Sequence, residues 1–493
     1  MSNTATHAPN PDYRTPDELA VEENEPQGPT QSPKAIIIKL LIALGLGLLI
    51  IMLPRPENLP VEGHRLAAVL VPIVFLWVSE AIPIGITALL ATALMIVFKV
   101  TTSSAAWAPY ANRAVMFVMM IIMFGVVLNE VGLAKRLLFW ILRFAGTNVK
   151  RLSFFIAFSS TLLSSIFHDA TITIIMLFAI LPLFKAMGIT PNKSNNLSKF
   201  FVILIPLAAS AGGFGTLLGG GRCPLAVDIT QKFILETTGV AVKIGFLKYA
   251  IIEFPICILT AVATWAIVYA IFRPKEKELP ASVKIESMPK MSSAEVGVLS
   301  VFVCAFVLWF AGDLTGWHVS VVAAMALAGF CTPGWVSFKT ICDKFPWESW
   351  IVFGSGVSLG AAMLSSGLGK YLAEMLLPLL QGQSPFVTYY GMGLFGSALS
   401  SMMSNSAAVA LSLPITLPMA EMMNMSVETV GLLAPMSTSF IMLVIGCPPT
   451  IIAYSTGYFN QVEFVKVAVP WCLLLLAICV LGALFYWPML GLS

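Results

Sequence analysis

The stretch 164-SSIFHDATITIIML-177 sets a histidine and an aspartate, His168 and Asp169, inside a run otherwise fit for lipid or a packed core. An aspartate in mid-membrane costs a few kcal/mol or more, so such a residue marks a site by default. The surrounding apolar run, 152–184, is 33 residues long, and Asp169 is its one formal charge. That is too long for one spanning helix of about 20 residues and too short for two helices with a loop. Two limbs of about 15 residues, at 1.5 Å per residue, reach a little past the bilayer midplane and return. The run therefore reads as a re-entrant hairpin with His168 and Asp169 at its tip.

The rest of the chain supports a membrane setting. Of 493 residues, 58% are hydrophobic and only 11% are charged, against about 25% charged in a soluble domain. This is the composition of an all-α polytopic membrane protein, and spans of about 20 apolar residues place about 11 crossings along it. A net charge of +3 with no basic run excludes a nucleic-acid partner. The eight cysteines form no CxxC pair, and in apolar runs they act as small buried hydrophobes, so neither disulfides nor zinc are expected. Residues 1–33 are polar, acidic and proline-rich and read as a disordered cytoplasmic tail. They lack the pattern of a signal peptide, so 35-AIIIKLLIALGLGLLIIML-53 reads as a retained helix. A charged linker, 273–294, divides an N-terminal half (34–272) from a C-terminal half (295–493).

A second run of unusual length, 385–420, carries no charge at all. Its centre, 400-SSMMSNSAAVALSLPITLP-418, lies over 164-SSIFHDATITIIMLFAILP-182 at a constant offset, and 132-GLAKRL-137 lies over 367-GLGKYL-372 at nearly the same one. Each half thus reads as one repeat, with hairpins at 152–184 and 385–420 followed by broken helices at 200–235 and 430–457. Lys150, Arg151, Lys185, Lys193 and Lys199 flank the first hairpin and point its mouth to the cytoplasm. No Lys or Arg occurs between Lys370 and Lys466, so the second hairpin opens on the other side. Repeats of opposite orientation are inverted repeats, whose tips meet at a midplane site.

Several motifs are similar to those of the divalent anion/sodium symporter family, whose members carry dicarboxylates, citrate or sulfate. The tip 404-SNSA-407 resembles its Ser-Asn-Thr motif, and 446-GCPPTIIAYSTGY-458 its Thr-Pro-Pro loop. The stretch 77-WVSEAIPIGITALL-90 resembles its early Trp-x-x-Glu-Ala-x-Pro signature, and 212-GGFGTLLG-219 its first broken helix. The resemblance runs from about residue 35 to the C-terminus. It implies a homodimer of elevator-type protomers in a bacterial inner membrane, surrounded by lipid and coupled to sodium. It also implies one sodium position among Ser400, Ser404, Asn405 and Cys447, and its counterpart among Ser164, Asp169 and Gly219. The anion would face Asp169, Ala170, Arg222, Asn405, Ser406 and Pro448.

The residues themselves support part of this. Ser404, Asn405 and Ser406 at a helix start offer neutral oxygens for a hard cation and N–H groups for a carboxylate; the plain alternative is a helix cap. The first tip departs from the family, with His168-Asp169-Ala170 in place of Ser-Asn-Thr. The following loop also departs, with 220-GGRC-223 in place of Thr-Pro-Pro. Arg222 either grips an anion, or offsets Asp169, or reaches the membrane surface. Asp169 also fits a helix cap. His168 reads either as a locally bonded neutral histidine or as a proton carrier, because histidine is the side chain that titrates near neutral pH. Glu80, Glu130 and Arg113 read as structural or interfacial. An intramembrane hydrolase built on His168 and Asp169 is weaker, since adjacent residues do not readily converge on one bond and no GxSxG or HExxH motif accompanies them. An anion channel fits two broken helices less well than alternating access does.

Overall fold

The computed structural model describes residues 32–79, 81–278 and 290–492. Residues 1–31 of the expected disordered tail, 279–289 of the charged linker and Glu80 lie outside the described residues. Among those described, the architecture is all-helical, with one isolated β-bridge between Asn148 and Glu278.

The N-terminal half runs α1 (Pro33–Met52), α2 (Val61–Ser79), α3 (Ile84–Val97), α4 (Ser103–Trp107) and α5 (Arg113–Glu130). It continues with α6 (Leu133–Ala145), α7 (Val149–Ser164), α8 (Asp169–Ala186), α9 (Asn196–Gly212), α10 (Arg222–Thr238) and α11 (Phe246–Phe272). The C-terminal half runs α12 (Ser293–Phe310), α13 (Gly312–Thr315), α14 (Val319–Cys331), α15 (Phe338–Lys344) and α16 (Trp347–Ser365). It ends with α17 (Leu368–Leu380), α18 (Pro385–Ser400), α19 (Asn405–Met422), α20 (Val427–Ser437), α21 (Pro448–Ser455) and α22 (Gln461–Leu481).

One order of elements occurs twice. A helix of 18 or 19 residues (α5, α16) ends at a glycine of positive φ, Gly132 or Gly367. A 13-residue amphipathic helix follows (α6, α17). Then comes a helical hairpin of 16 and 18 residues (α7–α8, α18–α19), joined in both cases by four residues. At 1.5 Å per residue the limbs are about 24 and 27 Å long, short of the roughly 30 Å hydrocarbon core. Asn148 caps α7 by accepting from Arg151 N, and Ser384 caps α18 by accepting from Val387 N. A broken helix follows each hairpin. Its first limb stops at the glycine-rich 212–221 in one half and at 438–447, before Pro448-Pro449, in the other.

By length and composition, seven described helices are able to cross a membrane, or eight if the bent pair α16–α17 counts as one span. The expected eleven crossings counted more, because α3, α9 and α14 are apolar but only 13 to 17 residues long and the broken helices divide their apolar runs. The return limb α8 passes the same length test, although it is joined to α7 as a hairpin.

The hairpins and broken helices pack with α11 and α22. Helices α2, α3, α5, α12, α14, α16 and α17 pack among themselves as a frame, which meets the first set most extensively where α16 and α17 lie on α19. At the centre lie α9 and α19, one from each half, buried on every side over 200–212 and 405–420. A helix apolar all round is a core helix. The second limb of each broken helix crosses to the other half. Thus α10 packs on α19 and α20, while α21 packs on α8 and α9.

Candidate functional site

The two hairpin tips are built alike. In the first, Ser165 N donates to Thr161 O, and Ile166 N and Phe167 N both donate to Leu163 O. In the second, Ser401 N donates to Ser397 O, and Met402 N and Met403 N both donate to Leu399 O. Each tip is tied to the break of its own half. Thr216 Oγ1 donates to Ser165 O, and Met442 N donates to Ser401 Oγ at 2.8 Å.

Arg222 joins the tips. It is the first residue of α10 rather than a loop residue, and at 3% exposure it does not reach a surface. Its Nη1 lies 3.3 Å from Asp169 Oδ2, and its Nη2 donates to Ser210 O at 3.3 Å. Nη1 also donates to the Asn405 side-chain oxygen at 2.7 Å. This orientation of the amide satisfies both of its ends: the nitrogen donates to Thr438 O at 3.2 Å and to Ser400 Oγ at 2.8 Å. Ser400 Oγ passes its own proton to Thr438 O at 2.6 Å. The guanidinium rests over Gly213, where a Cβ would lie 1.8 Å from Nη2.

Asp169 is the first residue of α8, 3% exposed, and its Oδ1 accepts from Ala170 N at 2.9 Å. The cap position of α8 is His168, so Asp169 is not the helix cap; it takes the adjacent N–H at the helix end and pairs with Arg222 at once. His168 precedes it, with Nδ1 3.5 Å from Asp169 Oδ1 and a side chain 28% exposed. Asn405 and Ser406 open α19 and are buried; Ser404 Oγ accepts from Ala407 N, which leaves the N–H groups of Asn405 and Ser406 at the helix end. Three helix N-termini, those of α8, α10 and α19, thus meet around one guanidinium. Asp169 offsets the charge of Arg222, and the aligned dipoles leave the centre favourable to an anion.

The residues read as cation ligands lie just behind the tips. Ser164 Oγ is buried without a partner. A Cβ at Gly219 would fall 2.7 Å from Ser164 O and 2.9 Å from Gly213 O, so these carbonyls converge on a space that a glycine keeps open. The second half repeats the relation, with Ser400 O 2.8 Å from a Cβ at Gly446. Oxygen donors of this kind fit a hard cation. The Cys447 carbonyl accepts from Thr450 Oγ1 at 2.8 Å and Ile451 N at 3.3 Å, and its thiol lies 3.5 Å from Ser210 Oγ. Pro448 beside it is exposed.

Over residues 34–493 the sequence matches the family described as the sodium:sulfate symporter transmembrane region. The chain belongs to that family. It is similar to the sodium-dependent dicarboxylate transporter SdcS of Staphylococcus saprophyticus, at 27% identity over 92% of this chain and 91% of the relative. A membrane protein of Cupriavidus necator is 25% identical over 92% of each chain. The crystal structure of the Alcanivorax borkumensis YdaH transporter shares the fold, with a TM-score of 0.53 and 16% identity over 77% of this chain and 86% of that one. As a sodium:sulfate symporter family member the protein is an integral membrane transporter and not an enzyme.

In this symporter-family chain, sequence reasoning missed the groups that hold Arg222 from the backbone, Ser210 O and Gly213, because a carbonyl carries no sequence signal. It missed Thr216 and Thr438 for the same reason: what they contact is fixed only by the breaks. Glu253 was also overlooked, although a single carboxylate inside the apolar 247–272 was legible. Of the residues read as structural, Glu130 pairs with Lys344 at 2.6 Å. Arg113 lies 3.8 Å from Asp228, which sequence reasoning did not single out.

Proposed function

We propose that this chain is a secondary active transporter that moves a small dicarboxylate together with sodium. The observation that carries the reading is Arg222, buried between the two hairpin tips with Asp169 on one side and Asn405 on the other. An arginine fork held by backbone and amide oxygens is a preorganised carboxylate receptor, and the N–H groups of Asn405 and Ser406 would take the anion from the far side. Pro448, Ala170 and Asp169 would shape the remaining walls. The SdcS relatives, named for sodium-dependent dicarboxylate transport, support this substrate class.

Sodium fits the oxygens behind the tips. Ser400, Ser404, Asn405 and the Cys447 carbonyl would hold it in the second half, and its positive charge would balance that of the anion. The first half would use Ser164, Gly219 and Asp169. There Arg222 already supplies a fixed positive charge, so we assign the stronger sodium requirement to the second half. His168, with Nδ1 3.5 Å from Asp169 Oδ1, is the candidate proton carrier of this tip.

The hairpins are re-entrant, the two halves are inverted repeats, and the tip-bearing helices move against the frame as an elevator. The lysines and arginines around the first hairpin place its mouth and the N-terminus in the cytoplasm of a bacterial inner membrane. Two such protomers form a homodimer.

A thermal-stability panel tests the site. Succinate, malate, citrate, sulfate and an alkyl sulfonate are each added to the purified protein in sodium or in choline. A ligand that binds only the folded state raises the melting temperature by mass action. Succinate or malate in sodium should do so for the wild type and not for Arg222→Ala. Stabilisation by sulfate or the sulfonate alone would assign the substrate to those anions. An equal response in both proteins would remove Arg222 from the site.

A further inference from the structure

Glu253 lies two turns into α11, is 0% exposed, and has no hydrogen-bond partner for either carboxyl oxygen. Its surroundings define where it points. Tyr249, one turn earlier, donates its hydroxyl to Phe214 O at 3.1 Å. Cys257, one turn later, directs its thiol to Ala211 O and Gly212 O at 3.9 and 3.8 Å. Residues four apart share a helix face, so Glu253 faces the back of the same glycine-rich break whose front holds Arg222. Cys223, next to Arg222, donates its thiol to Gly213 O at 3.3 Å.

The titratable groups near Glu253 are Tyr249 and Cys257 on α11, Cys223 on α10 and Cys479 on α22. All are thiols or a phenol, and none supplies a positive charge. An unpaired carboxylate in such a place is far more costly than the neutral acid.

We propose that Glu253 is a proton-binding site of the transport unit, loaded in this conformation and emptied when the break in front of it rearranges. Loss of the proton breaks the carboxyl O–H bond, leaves a carboxylate and passes the proton to water admitted by the rearrangement. Arg222 stands on the other side of the break, and its charge acts on Cys223 and Tyr249. Anion handling at the front and proton release at the back would then share one flexible segment. The coupling part of the proposal rests on the transport reading above, whereas the proton itself does not.

Two measurements keep these parts separate. The first is infrared spectroscopy of the purified, lipid-reconstituted protein at neutral pH. The carbonyl band of a protonated buried acid should be present in the wild type, absent in Glu253→Gln, and shifted in Glu253→Asp. The second is succinate uptake into proteoliposomes in sodium, with and without an inward proton gradient. The gradient should speed uptake at least twofold in the wild type and in Glu253→Asp, and leave Glu253→Gln unchanged though active. A spectrum that Glu253→Gln does not alter overturns the proton site. A gradient response that survives in Glu253→Gln overturns the coupling. If no protein takes up succinate, the transport reading fails, and the infrared band alone decides whether Glu253 holds a proton.

Discussion

Arg222 satisfies three acceptors at once, Asp169, Ser210 O and Asn405, from a fork with fixed geometry. A lysine supplies one point charge and reaches fewer of them. Arg222→Lys should therefore cut succinate uptake at least tenfold, the equivalent of about 1.4 kcal/mol. Near-normal initial rates in both the lysine and the alanine variants would show that the fork does not bind the anion. Asn405 is sensitive for a related reason. Its amide nitrogen donates to Thr438 O and Ser400 Oγ, which an aspartate cannot do, and a second carboxylate beside Asp169 would compete with the substrate for Arg222. Asn405→Asp should weaken succinate binding while sodium affinity holds or rises, measured by titrating each against the other. Tighter succinate binding would show that Asn405 does not face the anion.

At the scale of elements, the glycine break decides where Arg222 lies. Gly213 has an ordinary φ of −66°, so its lack of a side chain serves space and not backbone freedom. Gly213→Ala should push the guanidinium out of place, reduce uptake as severely as Arg222→Ala, and cost about 1–3 kcal/mol of stability through overpacking. Wild-type uptake and melting temperature would mean that the break yields easily. The helix pairs α7–α8 and α18–α19 were legible in the sequence because each run has the wrong length for a span with at most one charge, and because His168-Asp169 and Ser404-Asn405 interrupt it. The Gly132 and Gly367 turns were legible as a repeated motif. What was not legible is the crossing of α10 and α21 into the opposite halves. That crossing depends on long-range packing, and it turned Arg222 from a loop residue of uncertain direction into the link between the tips. The expected eleven crossings exceed the seven or eight helices long and apolar enough to cross for a similar reason, because an apolar run does not show that its helix, such as the 17-residue α9, stops short.

For the molecule as a whole, the face between the frame and the tip-bearing helices is lined by small and apolar groups, with Gly356 against Ala410, Gly360 against Ala410 O and Gly221 against Phe353. Such a face suits sliding. Among the described residues a polar contact also crosses it: Asp228 on α10 accepts from Asn112 Nδ2 at 3.1 Å and lies 3.8 Å from Arg113 Nε. Lys232 on the same helix holds Asp228 at 2.8 Å. Asp228→Asn should loosen this conformation. Amide hydrogen exchange over 222–238 should quicken by about fivefold, roughly 1 kcal/mol for partners that are half open to water. Unchanged exchange would leave Asp228 a purely local contact.

The most direct test of the whole account is accumulation. Proteoliposomes holding the full chain are given radiolabelled succinate with an inward sodium gradient, with sodium equal on both sides, or with choline in its place. If Arg222 binds the anion and the tips hold sodium, internal succinate rises above the external concentration only with the gradient, and Arg222→Ala abolishes the rise. Uptake that merely equilibrates, or that proceeds unchanged in choline, would contradict it.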